Sequence, residues 1–342
     1  MLELFLESSI DYLFFLAKTL TLLAGIAVLI VLALRVRAGG GLQREQLEIT
    51  DLKARYRSLS YALKEISLPE KEYKAFLKQE RKREKEREKT GDQEQRRLFI
   101  IEFNGDIRAS EVSALRVLVT TLLQEAREGD QVLVRLDNAG GMVSEHGLAA
   151  SQLARLRAKG IPLTIAVDKV AASGGYLMAC VADRIIAAPF SVIGSIGVLA
   201  ELPNFHRLLE RYGVDFELHT AGEYKRTLTL FGENTDEGRQ KLREQLEETH
   251  RLFKAFVSEY RPSLDLERVA TGEYWHGRRA VELGLVDAIQ TSDDFILEAG
   301  AEMELLKLKY RAHKKPIERL VASVRGVLDR VQAGKADFGG SV

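Results

Sequence analysis

Ser173 lies in the run Val170-Ala-Ala-Ser-Gly-Gly-Tyr-Leu-Met-Ala-Cys180, where an extended apolar stretch turns through two glycines into a helix-like one. A serine at such a strand-to-helix turn lifts its hydroxyl clear of the backbone. The small neighbours Ala171, Ala172, Gly174 and Gly175 let a substrate come close. The first N–H groups of the following helix, that of Gly174 among them, face developing negative charge with a positive dipole end. The chemistry this suits is nucleophilic attack on an acyl carbon. The other reading is a tight strand–helix connection with a capping serine. Ala171 stands where the G-x-S-x-G turn of the α/β-hydrolases has its first glycine.

A nucleophilic serine needs a base and an oxyanion site. Asp137-Asn-Ala-Gly-Gly-Met-Val143 closes an earlier apolar run with paired glycines. In a parallel sheet that end lies on the same side as the Ser173 turn. The backbone N–H groups of Gly141 and Met142 are therefore oxyanion candidates, and an ordinary helix-entry turn is the alternative. The histidines are His146, His206, His219, His250, His276 and His313; none has triad spacing, and His146 alone is close to the glycine turn. Lys225, in Ala221-Gly-Glu-Tyr-Lys-Arg-Thr-Leu-Thr-Leu230, is the other candidate base. Burial would have to lower its pKa from about 10.4, with Arg226 acting in the same direction. A surface loop lysine is the competing reading.

The elements that would position these residues alternate. Apolar runs at 98–103, 131–136, 162–167, 184–188 and 216–219 read as strands, and 110–126, 144–159 and 236–260 as helices. Short buried strands separated by such helices predict parallel βαβ units with right-handed crossovers. The pattern is continuous enough to predict one α/β domain over 98–300, with Ser173 following its third strand. Residues 301–342 carry mixed charge and read as a weakly ordered tail.

The N-terminal part differs. Residues 1–38 contain a span, about 13–34, that is apolar apart from Lys18 and two threonines. Twenty-two residues at ~1.5 Å rise cover about 33 Å, enough for one membrane helix across a core of ~30 Å. Acidic residues precede the span, which argues against a cleavable signal peptide. Arg35 and Arg37 follow it and favour a cytoplasmic catalytic domain. Residues 39–97 are polar. Their run Lys78 to Lys89 alternates charge signs at helical spacing, and so predicts a charged, mostly helical stalk. Fifty basic and fifty acidic side chains leave no net charge to draw the protein to nucleic acid. The single cysteine, Cys180, rules out an internal disulfide and reads as a small core residue.

Lys169 to Cys180, Val192-Ile-Gly-Ser-Ile-Gly-Val198 and Thr220 to Asn234 together resemble the signal peptide peptidase A family of serine proteases, most closely its SohB branch. The resemblance spans almost the whole chain, most strongly 98–289. It implies a ClpP/crotonase-like α/β fold of repeated ββα/βαβ units. It also implies a serine–lysine dyad, with Ser173 as nucleophile, Lys225 as general base and Ser195 hydrogen-bonding the lysine. The oxyanion turn falls on Asn138 to Met142, where Ala139 replaces a proline frequent in the family. No cofactor or metal is implied. The expected substrate is a peptide, an unfolded protein or a signal-peptide-like membrane fragment. Expected partners are lipid, through the N-terminal helix, and further copies of the chain in a ring where the lysine can reach a neighbour's serine. The family is bacterial, single-pass in the inner membrane and usually periplasmic, opposite to the side that Arg35 and Arg37 favour. Two other functions fit the residues: a crotonase-like acyl-CoA enzyme, which needs glutamates facing the acyl chain but not Lys225, and a non-catalytic membrane scaffold.

Overall fold

The computed structural model describes residues 14–26, 46–89 and 96–311. Residues 14–26 form helix α1, with its side chains exposed. At ~1.5 Å per residue α1 covers about 20 Å, less than a hydrocarbon core of ~30 Å. Among the described residues no helix is long and apolar enough to cross a membrane. Residues 13 and 27–34 of the expected span lie outside the described residues.

The expected stalk is helical in part. It begins with strand β1 (Gln46–Asp51) and continues as α2 (Leu52–Ser67) and α3 (Glu70–Lys89). Asp51 caps α2 by accepting from Ala54 N–H at 2.9 Å. Pro69 follows α2, and the chain folds back so that Tyr61 meets Phe76 edge-on at 5.3 Å, with Lys64 over the same ring at 3.9 Å. β1 lies at the sheet edge, and Leu52 is buried with Leu98 and Ile100, so this end of the segment is part of the core.

The sheet follows from the apolar runs. β2 (Arg97–Gly105) leads to α4 (Val112–Glu125), β3 (Gln131–Asn138), α5 (Val143–Ala158) and β4 (Leu163–Val167). β5 (Val170–Ala172), α6 (Gly174–Ala179), β6 (Arg184–Ala187), β7 (Val192–Gly194), α7 (His206–Arg211) and α8 (Asp236–Tyr260) come next. The chain then runs through α9 (Leu266–Val269), β8 (Tyr274–His276), α10 (Gly277–Glu282), β9 (Ala288–Ile289), α11 (Ser292–Ala299) and β10 (Glu304–Arg311). The strand order β1-β10-β2-β3-β4-β6-β9 is parallel from β10 to β9, as the alternation predicts. Successive residues of a strand face opposite sides. In β2, Phe99, Ile101 and Phe103 join the main core, while Leu98 and Ile100 join a second cluster with Ile296 and Met303. Burial on both faces explains why β2 reads as an unbroken apolar run.

Three expectations are corrected. The stretch after residue 301 is not all tail, because β10 pairs with β2 from Glu304↔Arg97 to Leu308↔Ile101 and buries Leu305 and Leu308. Residues 216–219 are not a strand: they have no regular structure, and 211–226 are exposed throughout. A short apolar run without a strand to pair with has nowhere to place its backbone bonds. Ser173 does not follow the third strand either. It follows the separate short strand β5, which pairs with β3 and β7 rather than continuing β4.

One buried ion pair fastens the start of β2. Asp130, 3% exposed, accepts from Arg97 Nη2 at 2.5 Å, Arg127 N–H at 2.8 Å and Arg97 N–H at 3.1 Å. Burial opposes its charge, but the Arg97 side chain and these backbone donors outweigh it and hold the carboxyl below the usual aspartate range. A depressed folded pKa contributes stability that is present above the unfolded value and lost as pH falls through the folded one. Asp130→Asn is therefore expected to cost about 2 kcal/mol at neutral pH. In denaturant melts the gap to wild type should close below about pH 4; a gap independent of pH would refute this account.

Candidate active site

Three strand ends lie side by side. Asn138, the last residue of β3, registers with Ala171 of β5, and Ala172 of β5 registers with Gly194 of β7. Ser173 and Ser195 each follow one member of that last pair. Both have left-handed backbones, with φ 52° at Ser173 and 50° at Ser195; among the described non-glycine residues, Ala109 alone shares this. Such a conformation costs on the order of 1–3 kcal/mol and persists only where the surroundings impose it. Here they do. Ser173 N–H donates to Gly194 O at 2.8 Å, and Ser195 N–H donates to Glu273 O at 2.7 Å. β8 runs antiparallel to β7 and holds this second turn from outside.

The glycine turn of 138–142 packs onto Ser173. A Cβ on Gly140, whose φ is +93°, would stand 2.7 Å from Ser173 Cβ and 2.9 Å from Gly174 N. The Asn138 side chain fixes the turn from below, accepting from Gly140 N–H at 2.8 Å. Of the expected oxyanion donors, Met142 is corrected: its N–H donates to Ile107 O at 2.8 Å and is spent there. The turn packs so tightly on the loop before α4 that a Cβ on Gly141 would lie 2.2 Å from the same Ile107 oxygen. Gly141 and Gly174 both line the cavity that Ser173 borders. The N–H of Gly174 heads α6, where no preceding turn offers it a carbonyl.

That cavity holds about 280 Å³ and is walled by Leu177, Val198, Leu252, Phe253 and Phe256. The small residues near Ser173 are legible in the sequence; this wall, most of which comes from α8 far along the chain, is not. Thr249, Leu252, Phe253 and Phe256 follow the i, i+3, i+4, i+7 spacing of one helix face. Their periodicity is visible in the sequence, but the element they face is not. No glutamate is among the lining residues, so the feature required of an acyl-CoA enzyme is missing from this wall.

Lys225 is not among the lining residues. It sits in the exposed segment between α7 and α8, with its N–H donating to Gly222 O at 3.2 Å. The burial that a lysine base requires is therefore not supplied around it in the single chain. His146 is no substitute base: it is fully buried, with Nδ1 2.9 Å from Met142 O and Nε2 3.2 Å from Asn138 Oδ1. Cys180 is buried in the main core, as its apolar neighbours predict. Burial pushes its thiol up to about 12, too high for a thiolate nucleophile near neutral pH.

Comparison with known proteins gives the family. Residues 7–153 match the N-terminal model of peptidase family S49, and residues 155–306 match the peptidase family S49 model that follows it. The chain belongs to peptidase family S49 and is a protease, in the SohB branch of that family. It is 48% identical over 316 residues to the probable protease SohB of Haemophilus influenzae, covering 89% of this chain and 90% of that one. It is 54% identical over 229 residues to the probable protease SohB of Buchnera aphidicola subsp. Acyrthosiphon pisum, covering 67% and 68%. A solved mutant of 1510-N, a membrane-bound stomatin-specific protease, in complex with a substrate peptide aligns at TM-score 0.42 and 12% identity. That alignment covers 67% of this chain and 98% of the other.

Proposed function

We propose that this protease is a serine endopeptidase with Ser173 as nucleophile and Lys225 as general base, on a ClpP/crotonase-like fold tethered to the inner membrane by residues 13–34. The observation that carries the reading is the strained Ser173 turn, which borders an apolar cavity and packs against the Gly140–Gly141 turn. In this mechanism the Ser173 hydroxyl attacks a peptide carbonyl as its proton passes to neutral Lys225. The Gly141 and Gly174 N–H groups stabilise the oxyanion, and Lys225 hands the proton to the leaving amine. Ser195, following the strand next to that of Ser173, orients the lysine. The apolar wall suits uncharged side chains of peptides cut from membrane proteins.

A second copy of the chain supplies the missing burial. The exposed segment 211–226 carries Tyr212, Val214, Phe216, Leu218 and Tyr224 on its surface together with Lys225. Covering those side chains in a ring takes the lysine out of water, the surroundings a lysine base requires. The test is complementation. Ser173→Ala and Lys225→Ala proteins, each inactive alone, should regain hydrolysis of an unfolded protein substrate when co-assembled. Failure to regain it after verified co-assembly would place both groups in the same subunit.

A further inference from the structure

We propose that His146 is a positioning residue of this site: its imidazole ties the end of β3, the glycine turn and the start of α6 into one fixed frame around Ser173. The inference rests on Ser173 being the nucleophile. The ring is fully buried and touches all three parts. Nδ1 is 2.9 Å from Met142 O, a carbonyl that can only accept, so Nδ1 donates. Nε2 is 3.2 Å from Asn138 Oδ1, the oxygen that accepts from Gly140 N–H at 2.8 Å; a neutral imidazole has one N–H, so with Nδ1 donating, Nε2 packs against this oxygen without bonding it. The ring lies against the residue after the nucleophile, since a Cβ on Gly174 would stand 2.5 Å from His146 Cγ.

The roles in this network follow from counting donors. Asn138 Oδ1 accepts from Gly140 N–H, and Asn138 Nδ2 faces Met178 Sδ at 3.3 Å. Turning the amide around would aim its NH2 at Gly140 N–H, donor against donor, and release the turn. The arrangement therefore makes Asn138 Oδ1 the acceptor on which Gly140 depends, and the surface on which the His146 ring rests. Met142 O is held a second time, by His146 N–H at 3.1 Å. Helix α5 is thereby fastened to the turn at its first residues. No charged side chain bonds or pairs with the ring among the described residues. Tyr176 of α6 and Cys180 just after it bond elsewhere, to Leu285 O and Leu177 O. A misplacement of about 1 Å at such a frame costs on the order of 100-fold in rate.

The test uses full-length protein and compares kcat with KM. His146→Phe keeps an aromatic ring in place and removes the bond to Met142 O. Its kcat should fall ~10- to 100-fold with KM within about threefold. Asn138→Leu and Asn138→Asp separate the acceptor from mere packing. Both are close in size to asparagine, but only aspartate accepts from Gly140, so kcat should be at least ~10-fold lower for the leucine variant. Equal kcat for those two variants overturns the proposal, even if His146→Phe fails to fold. Wild-type kcat in folded His146→Phe overturns it as well. Ser173→Ala run alongside separates the layers: if that variant still hydrolyses substrate, the nucleophile assignment fails first.

Discussion

Ser173→Ala is expected to lower peptide hydrolysis by about four to six orders of magnitude while leaving the fold and assembly intact. The loss is large because the other hydroxyls lining the cavity, Ser151 and Thr249, donate to Gly147 O and Gln245 O within their own helices. Cys180 is buried with its thiol pushed up to about 12, and His146 is buried with its ring nitrogens against Met142 O and Asn138 Oδ1. Serine already carries a Cβ at this φ of 52°, so alanine adds no backbone strain and stability should change little. Lys225→Ala should be comparably inactive. Lys225→Arg should be no better, because a guanidinium stays charged and cannot take a proton from serine. Turnover of an unfolded protein or a fluorogenic peptide by purified wild type and variants decides the matter. Retained activity in Ser173→Ala would remove the dyad altogether. Activity in Lys225→Arg alone would leave the serine but dismiss lysine as the base.

The second large effect concerns glycines with no bond-making side chain at all. Gly175→Ala would place a Cβ 2.1 Å from Asn138 O, a backbone atom at the end of β3 that cannot swing away. α6 would have to lift off β3, and a loss of 3 kcal/mol or more, or failure to fold, is expected. Gly140→Ala combines a φ of +93° with contacts of 2.7 Å to Ser173 Cβ and 2.9 Å to Ala172 O. Its expected signature differs: about 1–3 kcal/mol of stability lost, with kcat reduced ~100-fold because the turn is pushed off the nucleophile. Gly147 provides the contrast. It lies within α5 with nothing within 4 Å of an added Cβ, so Gly147→Ala should raise stability by up to about 1 kcal/mol. Thermal melts and steady-state kinetics on the three variants check the ordering. If Gly140→Ala and Gly147→Ala behave alike, the close packing of the turn on Ser173 is wrong.

Much of this protein is legible one residue after another. The unbroken apolar run of β2, the helix at 236–260 and the Gly-Gly turns announce themselves, because burial on both faces, a 3.6-residue period and a need for unusual φ each leave a local mark. The motif around Ser173 is of this kind. So are those around Ser195 and Lys225. What such marks leave open is the partner of each surface. β10 carries leucines that β2 needs, yet its charged setting hides the pairing until the strand is seen beside Arg97–Ile101. The segment 214–226 carries as many apolar side chains as a strand, yet remains unpaired in one chain. Met142 has an N–H at the right place in the motif, but the Ile107 carbonyl claims it, and no spacing rule records a hydrogen bond to a loop thirty-five residues upstream.

The sequence by itself determined the family, whose members are proteases, and offered a small-residue turn and a glycine turn as candidates for a nucleophile and an anion site. Those are properties of backbone freedom and functional groups, which are written locally. Tertiary structure alone decided how the parts meet. It placed Ser173 and Ser195 at the ends of adjacent strands and brought an α8 face across the cavity. It set His146 beneath Gly174, and it left Lys225 exposed. These are matters of packing between residues far apart in the chain, where each contact depends on which surface the rest of the fold presents.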